Sequence, residues 1–150
     1  MAEYFANAEV IVPLNEAIDF TASIPCNRGL VIHEDGTGVF TLRGCGSNCF
    51  ARYKVTYNGN VALPEGAAAI EPIAVALSVN GETRMTSRAI FTPAAAEEYG
   101  NVTSTAIITV PRGCCFSVSV RYVSGITDGT TTPPVSISQI NGNLTIDRVA

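Results

Sequence analysis

Apolar and polar side chains alternate at every second position through most of this 150-residue sequence. In the segment 50–57, one alternating set is apolar or aromatic, and the other carries Arg52, Lys54 and Thr56. A period of two places the two sets of side chains on opposite faces of a β-strand. The pattern therefore predicts half-buried strands along the chain rather than amphipathic helices.

Turn-forming residues separate the alternating segments at short intervals. Glu34-Asp-Gly-Thr-Gly38 predicts a hairpin turn, because Asp and Gly tolerate the backbone conformations of tight turns. Asn80-Gly81 predicts a two-residue hairpin turn. Asn141-Gly142 allows two interpretations: one continuous last strand over 135–149, which we favour, or a hairpin at that point.

The residue types also favour strands. Val, Ile and Thr number 15, 13 and 15, whereas Leu numbers only 6, and β-branched side chains fit a pleated surface. Only Pro93-Ala-Ala-Ala-Glu-Glu98 resembles a helix start, with Pro first and carboxylates close behind. About eight to ten short strands with this spacing are typical of a sandwich. We predict an all-β antiparallel β-sandwich: a single jelly-roll domain at 9–150 with one short helix near 93–98, preceded by residues 1–8 as an N-terminal extension or arm.

The composition excludes several classes of protein. Nine basic and 13 acidic residues, with no basic cluster, predict no nucleic-acid partner. No apolar run approaches the roughly 18 residues that span a bilayer, so we expect no membrane segment. The N-terminus has neither a basic start nor an apolar core, so we expect no secretory signal and synthesis in a cytoplasm.

Charged residues make up only 15% of the chain, against roughly 25% in an average soluble domain. Small uncharged residues stand at predicted outward positions of several strands, where charge is usual. These positions are Ala74, Ala76, Ser78, Thr103, Thr105, Thr109, Ser117 and Ser119. We expect such faces to pack against further copies of the chain.

Five cysteines are the most unusual chemical content: Cys26, Cys45, Cys49, Cys114 and Cys115. Two close pairs could supply four zinc ligands (Cys45, Cys49, Cys114 and Cys115), but neither spacing is usual for zinc, and adjacent strand residues point to opposite faces. The preferred interpretation is that the Gly-rich 44–49 loop and the Cys114-Cys115 pair meet at one end of the sandwich. The thiols there would form disulfides or act as small buried hydrophobic residues.

No other pattern points to catalysis. His33-Glu34-Asp35 could bind a metal or transfer protons, but a lone histidine beside a Gly-rich turn is more often solvated. Glu97 and Glu98 lie about 100° apart on a helix, which does not suit paired carboxylate chemistry. No nucleophile elbow accompanies the single histidine. We expect no catalytic residues, no cofactor and no enzymatic activity.

Four segments resemble those of a known jelly-roll family: Phe50-Ala-Arg-Tyr-Lys-Val55, Ala74-Val-Ala-Leu-Ser-Val-Asn-Gly81, Cys115-Phe-Ser-Val-Ser-Val120 and Leu144-Thr-Ile-Asp-Arg148. The family is the trimeric complement/tumour-necrosis-factor-like family, in the bacterial form that caps collagen-like exosporium glycoproteins. Four further motifs resemble short uncharacterised proteins of gut Firmicutes and their phages: Pro25-Cys-Asn-Arg-Gly29, His33-Glu-Asp-Gly-Thr-Gly38, Thr92-Pro-Ala-Ala-Ala-Glu-Glu-Tyr99 and Arg112-Gly-Cys-Cys115.

The resemblance implies a homotrimer with a structural or receptor-facing surface. The chain lacks the Gly-X-Y stalk of the exosporium type, which favours a free-standing module. We therefore expect a structural protein of a bacteriophage virion, a capsid decoration, head-fibre or fibre-tip protein, with the major capsid or another virion protein as partner. Residues 1–8 and the 125–134 loop are candidate docking segments. The alternative is a carbohydrate-binding or adhesive module on a spore or bacterial cell, which would bind a surface glycan.

Overall fold

The computed structural model describes residues 2–24, 29–67, 69–126, 128–129 and 131–150. These residues form twelve strands and one 3-10 turn, at Met85–Ser87. The strands are β1 (Ala2–Ala6), β2 (Val10–Pro13), β3 (Ala22–Ile24), β4 (Val31–His33), β5 (Phe40–Arg43), β6 (Phe50–Ala62), β7 (Ile73–Val79), β8 (Glu82–Thr83), β9 (Ala89–Phe91), β10 (Gly100–Pro111), β11 (Cys115–Ser124) and β12 (Ser136–Arg148).

The strands form two antiparallel sheets. The first sheet has the order β10-β6-β12-β1-β3, with β2 also paired to β12. The second has the order β4-β5-β11-β7-β8, with β9 also paired to β7. One core of buried aromatic and aliphatic side chains, contributed by both sheets, lies between them. The predicted all-β jelly-roll sandwich is confirmed.

The turns form at the positions that the sequence predicts. Asn80 and Gly81 both have positive φ and join β7 to β8, as a two-residue hairpin requires. The 34–38 segment joins β4 to β5 as an antiparallel hairpin. Asn141 and Gly142 instead form a β-bulge within β12, with Asn141 left-handed, so the last strand is continuous as favoured.

The prediction that residues 1–8 form an extension or arm does not describe Ala2–Ala6. This segment is β1, which lies between β12 and β3 in the first sheet. Ala2, Tyr4 and Ala6 are buried on its inner face. The alternation spans only five residues, too few to distinguish a strand from a polar tail in the sequence.

The helix predicted at 93–98 is wrong. No helix forms there, and Glu97 has a left-handed backbone with φ of 63°. The Glu97 amide donates a hydrogen bond to the Leu63 carbonyl. A helix this short gains little on its own and depends on a packed face, so the contact with the residues after β6 determines the local conformation.

Four small residues expected on an outer surface are buried: Ala74, Ala76, Ser78 and Ser119. Two of them sit beside much larger cross-strand partners, since Ala74 pairs with Ile90 and Ala76 pairs with Arg121. The outward side of β7 is therefore closed within a single chain and is not free to contact another copy.

Two side chains in the core, Tyr57 and Gln139, bury polar atoms among apolar neighbours. The Tyr57 hydroxyl and both polar atoms of the Gln139 side chain are buried, and within the described part of the chain they have no well-formed hydrogen bond. Burial is the largest influence on the Tyr57 pKa and raises it far above the usual value, while the neighbouring Gln139 side chain lowers it. Gly59 and Gly142 leave room for them, since a Cβ at either glycine would overlap the Tyr57 hydroxyl or the Gln139 amide.

Candidate functional site

Two connections cross between the sheets at the same end of the sandwich. Residues 44–49 link β5 to β6, and residues 112–114 link β10 to β11. They are held side by side by backbone hydrogen bonds: the Gly44 amide donates to the Cys114 carbonyl (2.9 Å) and the Gly113 amide to the Gly44 carbonyl (2.9 Å). The Arg112 amide likewise donates to the Cys49 carbonyl (2.9 Å). We call residues 43–52, 111–115 and 148–150 the cysteine end.

The same tripeptide, Arg-Gly-Cys, stands at the start of both connections. It occupies 43–45, where Arg43 is the last residue of β5, and 112–114. Each glycine is required by its backbone position. A Cβ at Gly44 would lie 2.0 Å from the Pro111 carbonyl oxygen, and Gly113 has a φ of +79°. This repeat is the signal in the sequence by which the arginines of the site could have been found.

The structure confirms that the two cysteine-bearing segments meet, and it corrects the expected state of their thiols. Cys45, Cys49, Cys114 and Cys115 are free thiols, so none of them forms a disulfide. Three are exposed and Cys45 is half-buried. The expectation that they act as small buried hydrophobic residues is therefore wrong. Cys26 lies outside the described residues.

A zinc site at these cysteines finds no support. Across the described ranges, no three His, Cys, Asp or Glu side chains come together in an arrangement that could hold a metal ion. Cys115 begins the alternation of β11 with an exposed side chain, whereas Phe116 turns toward the core. Cys114 precedes β11 in the 112–114 connection, and its side chain is exposed as well.

Arginines surround the thiols. Arg43 stands directly opposite Cys115 in the pairing of β5 with β11, and both side chains are exposed. Arg148 lies over Gly46, with Nη2 2.9 Å from where a Cβ would be. Together with Arg52 and Arg112, this end carries four of the chain's nine basic residues, although the chain as a whole has a net charge of −4.

The Tyr53 hydroxyl links the arginines to the half-buried thiol. It donates a hydrogen bond to the Arg43 carbonyl (2.5 Å). Burial raises its pKa, the positive charges of Arg148 and Arg43 lower it, and Cys45 raises it. The Tyr53 hydroxyl therefore ties the backbone of Arg43 to β6 at the inner boundary of the cysteine end.

The opposite end of the sandwich carries a cleft. The cleft has a volume of about 440 Å³ and is lined by residues 64–67, 69, 71 and 132–136. Glu65 and Glu71 line it together with prolines and alanines, and Val135 is 82% exposed at its side. The 125–134 loop, a candidate docking segment, thus contributes three residues to this cleft.

The side chain of His33 packs in the core and is not solvated. Its side chain is 1% exposed, and its ring stacks on Phe40 and meets the edge of Tyr4. The two ring nitrogens lie 3.1 Å from the Val39 carbonyl and 3.2 Å from the Phe20 carbonyl. Neither the metal-binding interpretation nor the solvated-turn interpretation of the sequence predicted that His33 packs in the core.

The outer face of β10, β6 and β12 is uncharged away from the cysteine end, and Glu3 of the adjoining β1 accepts a hydrogen bond from the Asn143 amide. Its cross-strand rows are Asn101–Asn60, Thr103–Asn58–Asn143 and Thr105–Thr56–Thr145. Many of these side chains bond to one another, as in the 2.7 Å bond from the Asn101 amide to the Asn58 oxygen. Ile107 follows in the next row and is 55% exposed. We call these residues the Asn/Thr face.

No protein-family model matches the sequence, and no curated protein matches it. Solved structures do match over nearly the whole chain. The globular domain of zebrafish complement 1qA is 14% identical, covers 95% of this chain and 93% of its own, and has a TM-score of 0.57. The Eiger tumour necrosis factor from S. frugiperda is 13% identical, covers 100% of this chain and 92% of its own, and has a TM-score of 0.61.

The chain has a C1q/tumour-necrosis-factor-like jelly-roll fold. A third match, the C-terminal domain of EclA, described as a sugar-binding protein, is 15% identical and covers 95% of this chain and 79% of its own. Its TM-score of 0.42 is too low to support an argument. The C1q/tumour-necrosis-factor-like fold agrees with the resemblance seen in the sequence, and at these identities the comparisons establish the fold alone.

No helix among the described residues is both long enough and apolar enough to cross a membrane.

Proposed function

We propose that this chain is a non-enzymatic structural protein of a bacteriophage virion that assembles as a homotrimer and decorates a capsid or ends a fibre. The observation that carries the self-assembly is the Asn/Thr face. The motifs shared with short Firmicutes and phage proteins, together with the resemblance to a trimeric jelly-roll family, support the setting.

The Asn/Thr face suits burial between copies because its polar groups are already satisfied. A charged side chain buried without a partner costs several kcal/mol, whereas amides and hydroxyls that bond to one another lose far less on leaving water. The threonine row 105–56–145 runs across three strands without a charge. Exposed Ile107 adds apolar area in the neighbouring row.

On β6, β10 and β12 the charged positions lie toward the cysteine end, and Glu3 of β1 borders the face on its other side, beside Thr145. Lys54 pairs in register with both Ile107 and Asp147, and Arg52 follows outside them. Such an arrangement of an uncharged interior and a charged margin is typical of protein interfaces. This arrangement supports self-association through the Asn/Thr face.

Light scattering on the purified chain tests the assembly. We expect about three times the 15.7 kDa mass of one chain at micromolar concentration. A monomer at that concentration would refute the trimer. Mass spectrometry of purified phage particles tests the setting: the proposal requires the chain among virion proteins, beside the major capsid protein or another component that it contacts.

The alternative of a glycan-binding surface module has one supporting observation. Asn58 and Asn101 lie exposed on the outer face of β6 and β10, where sugar hydroxyls would replace the 2.7 Å bond between their side chains. Few aromatic side chains are available to stack on a sugar ring, with Phe50 39% and Tyr99 40% exposed. Selective signals on a glycan array that disappear in Asn58→Ala would favour this function, and an array without selectivity would remove it.

A further inference from the structure

The cysteine end combines two properties that the proposed trimer does not use. Cys49, Cys114 and Cys115 are exposed free thiols, and four arginines lie at the same end of the molecule. Within the described part of the chain, Arg43 donates to the Gly29 carbonyl, Arg148 donates to the terminal oxygen of Ala150, and Arg52 lies over the Phe50 ring. No side-chain carboxylate among the described residues pairs with the Arg43 guanidinium.

Cys115 has the most direct relationship to one of these charges. It pairs in register with Arg43 across β5 and β11, and both side chains are exposed. Directly opposed residues of an antiparallel pair have Cβ atoms about 4.5–5.5 Å apart on the same face of the sheet. The Arg43 guanidinium donates one long hydrogen bond, of 3.4 Å, to the Gly29 carbonyl on the far side of β5. Because the side chain is long and exposed, it can exchange this bond for an anionic group attached to the Cys115 sulfur.

We propose that the cysteine end is a thiol–disulfide exchange site for anionic low-molecular-weight disulfides, such as oxidised glutathione. Cys115 is the attacking residue and Arg43 is the residue that attracts and orients the anion. Positive charge around an exposed reactive group raises the local concentration of anionic reagents. Guanidinium groups also bind carboxylates with two parallel hydrogen bonds.

The reaction balances without a further oxidant. The Cys115 thiol loses its proton to solvent, and its sulfur attacks one sulfur of the disulfide. A protein–glutathione disulfide bond forms while the glutathione disulfide bond breaks. The leaving glutathione thiolate takes a proton from solvent. Cys115 is oxidised and one glutathione is reduced, and the bound tripeptide remains among the arginines.

The test compares two disulfides on the reduced, folded chain. Oxidised glutathione is the anionic probe, and 2-hydroxyethyl disulfide is the neutral one. After an acid quench, peptide mass spectrometry gives the rate of modification at each cysteine. We expect Cys115 to react first with oxidised glutathione, and we expect its anionic-to-neutral rate ratio to fall about threefold in Arg43→Gln, the effect of losing one exposed charge pair.

Arg88→Gln is the matched control, because Arg88 bonds to the Ser124 carbonyl at the opposite end. It removes the same charge and should leave the ratio unchanged. High salt should lower the ratio in the unmodified chain as Arg43→Gln does, since salt screens exposed charges, and this measurement needs no variant to fold. The proposal is overturned if Arg43→Gln and Arg88→Gln give the same ratio, or if Cys115 reacts no faster than Cys49.

Discussion

The imidazole of His33 stacks on the ring of Phe40, with ring centroids 4.1 Å apart and an angle of 8° between the planes. Tyr4, from the first sheet, meets the edges of both rings. His33 and Phe40 belong to neighbouring strands of the second sheet. One aromatic cluster therefore joins the N-terminal strand to the β4–β5 hairpin across the core.

Loss of the His33 ring should weaken this junction. We expect His33→Ala to lower the free energy of unfolding by about 2 kcal/mol, because it removes a stacked ring and two polar contacts from a buried position. Urea denaturation followed by circular dichroism measures the change. Glu34→Ala, at the exposed neighbouring position, is the control and should change stability by less than about 0.5 kcal/mol. An equal effect of both substitutions would contradict the packing role.

The polar pair in the core should be replaceable by apolar side chains. We expect Tyr57→Phe combined with Gln139→Leu to raise the free energy of unfolding by about 1 kcal/mol, because buried polar atoms without partners are costly. The two single variants complete a double-mutant cycle. A double variant that is less stable than the original chain would instead show that the pair holds a stabilising bridge, such as a buried water.

Stability should fall at alkaline pH. Burial raises the pKa of Tyr122 to about 12, whereas an exposed tyrosine in the unfolded chain titrates near 10. Its contribution is complete below pH 10 and is lost as the pH rises toward 12, by up to about 1.4 kcal/mol per pH unit.

Urea denaturation at several pH values from 9 to 12 measures this loss, with the absorbance of tyrosinate as an independent readout. Tyr122→Phe cannot titrate and should show a shallower decline, although it loses the 2.6 Å hydrogen bond to the Pro134 carbonyl. Identical slopes in the two chains would contradict the assignment to Tyr122.

A single charge on the Asn/Thr face should disrupt the proposed trimer. We expect Ile107→Lys to shift the light-scattering mass toward one chain, because it replaces apolar contact area with a second ammonium group directly opposite Lys54 at the edge of the buried face. Ile32→Lys is the matched control. Ile32 lies on the second sheet and is 53% exposed, close to the 55% of Ile107. If both variants remain trimeric, or both dissociate, the interface lies elsewhere.

The sequence predicts the fold well where the information is local. Alternation over 50–57 correctly predicts which side chains of β6 point into the core. Asn80-Gly81 predicts a turn, and both of its residues have positive φ. It fails where burial depends on distant strands. Ala76 alternates with core residues as an outward position would, and its burial beside Arg121 depends on a partner 45 positions away.

The same distinction between local and distant information applies to the candidate site. The two cysteine-bearing connections could be placed together, because both join segments at one end of a sandwich. The Arg43–Cys115 pairing could not, because strand register is set by side-chain packing along the whole of β5 and β11. The burial of His33 was likewise hidden, since its neighbours Tyr4 and Phe20 come from remote segments.

The position of β1 between β3 and β12 has a kinetic consequence. Until Ser136–Arg148 has been synthesised, β1 can pair only with the three residues of β3, and β6 lacks one of its two neighbours. Contacts between residues this far apart in the chain form slowly, because a long loop must close before they repay its entropy. The first sheet therefore closes only after the ribosome has delivered β12, and the nascent chain exposes its apolar strands until then.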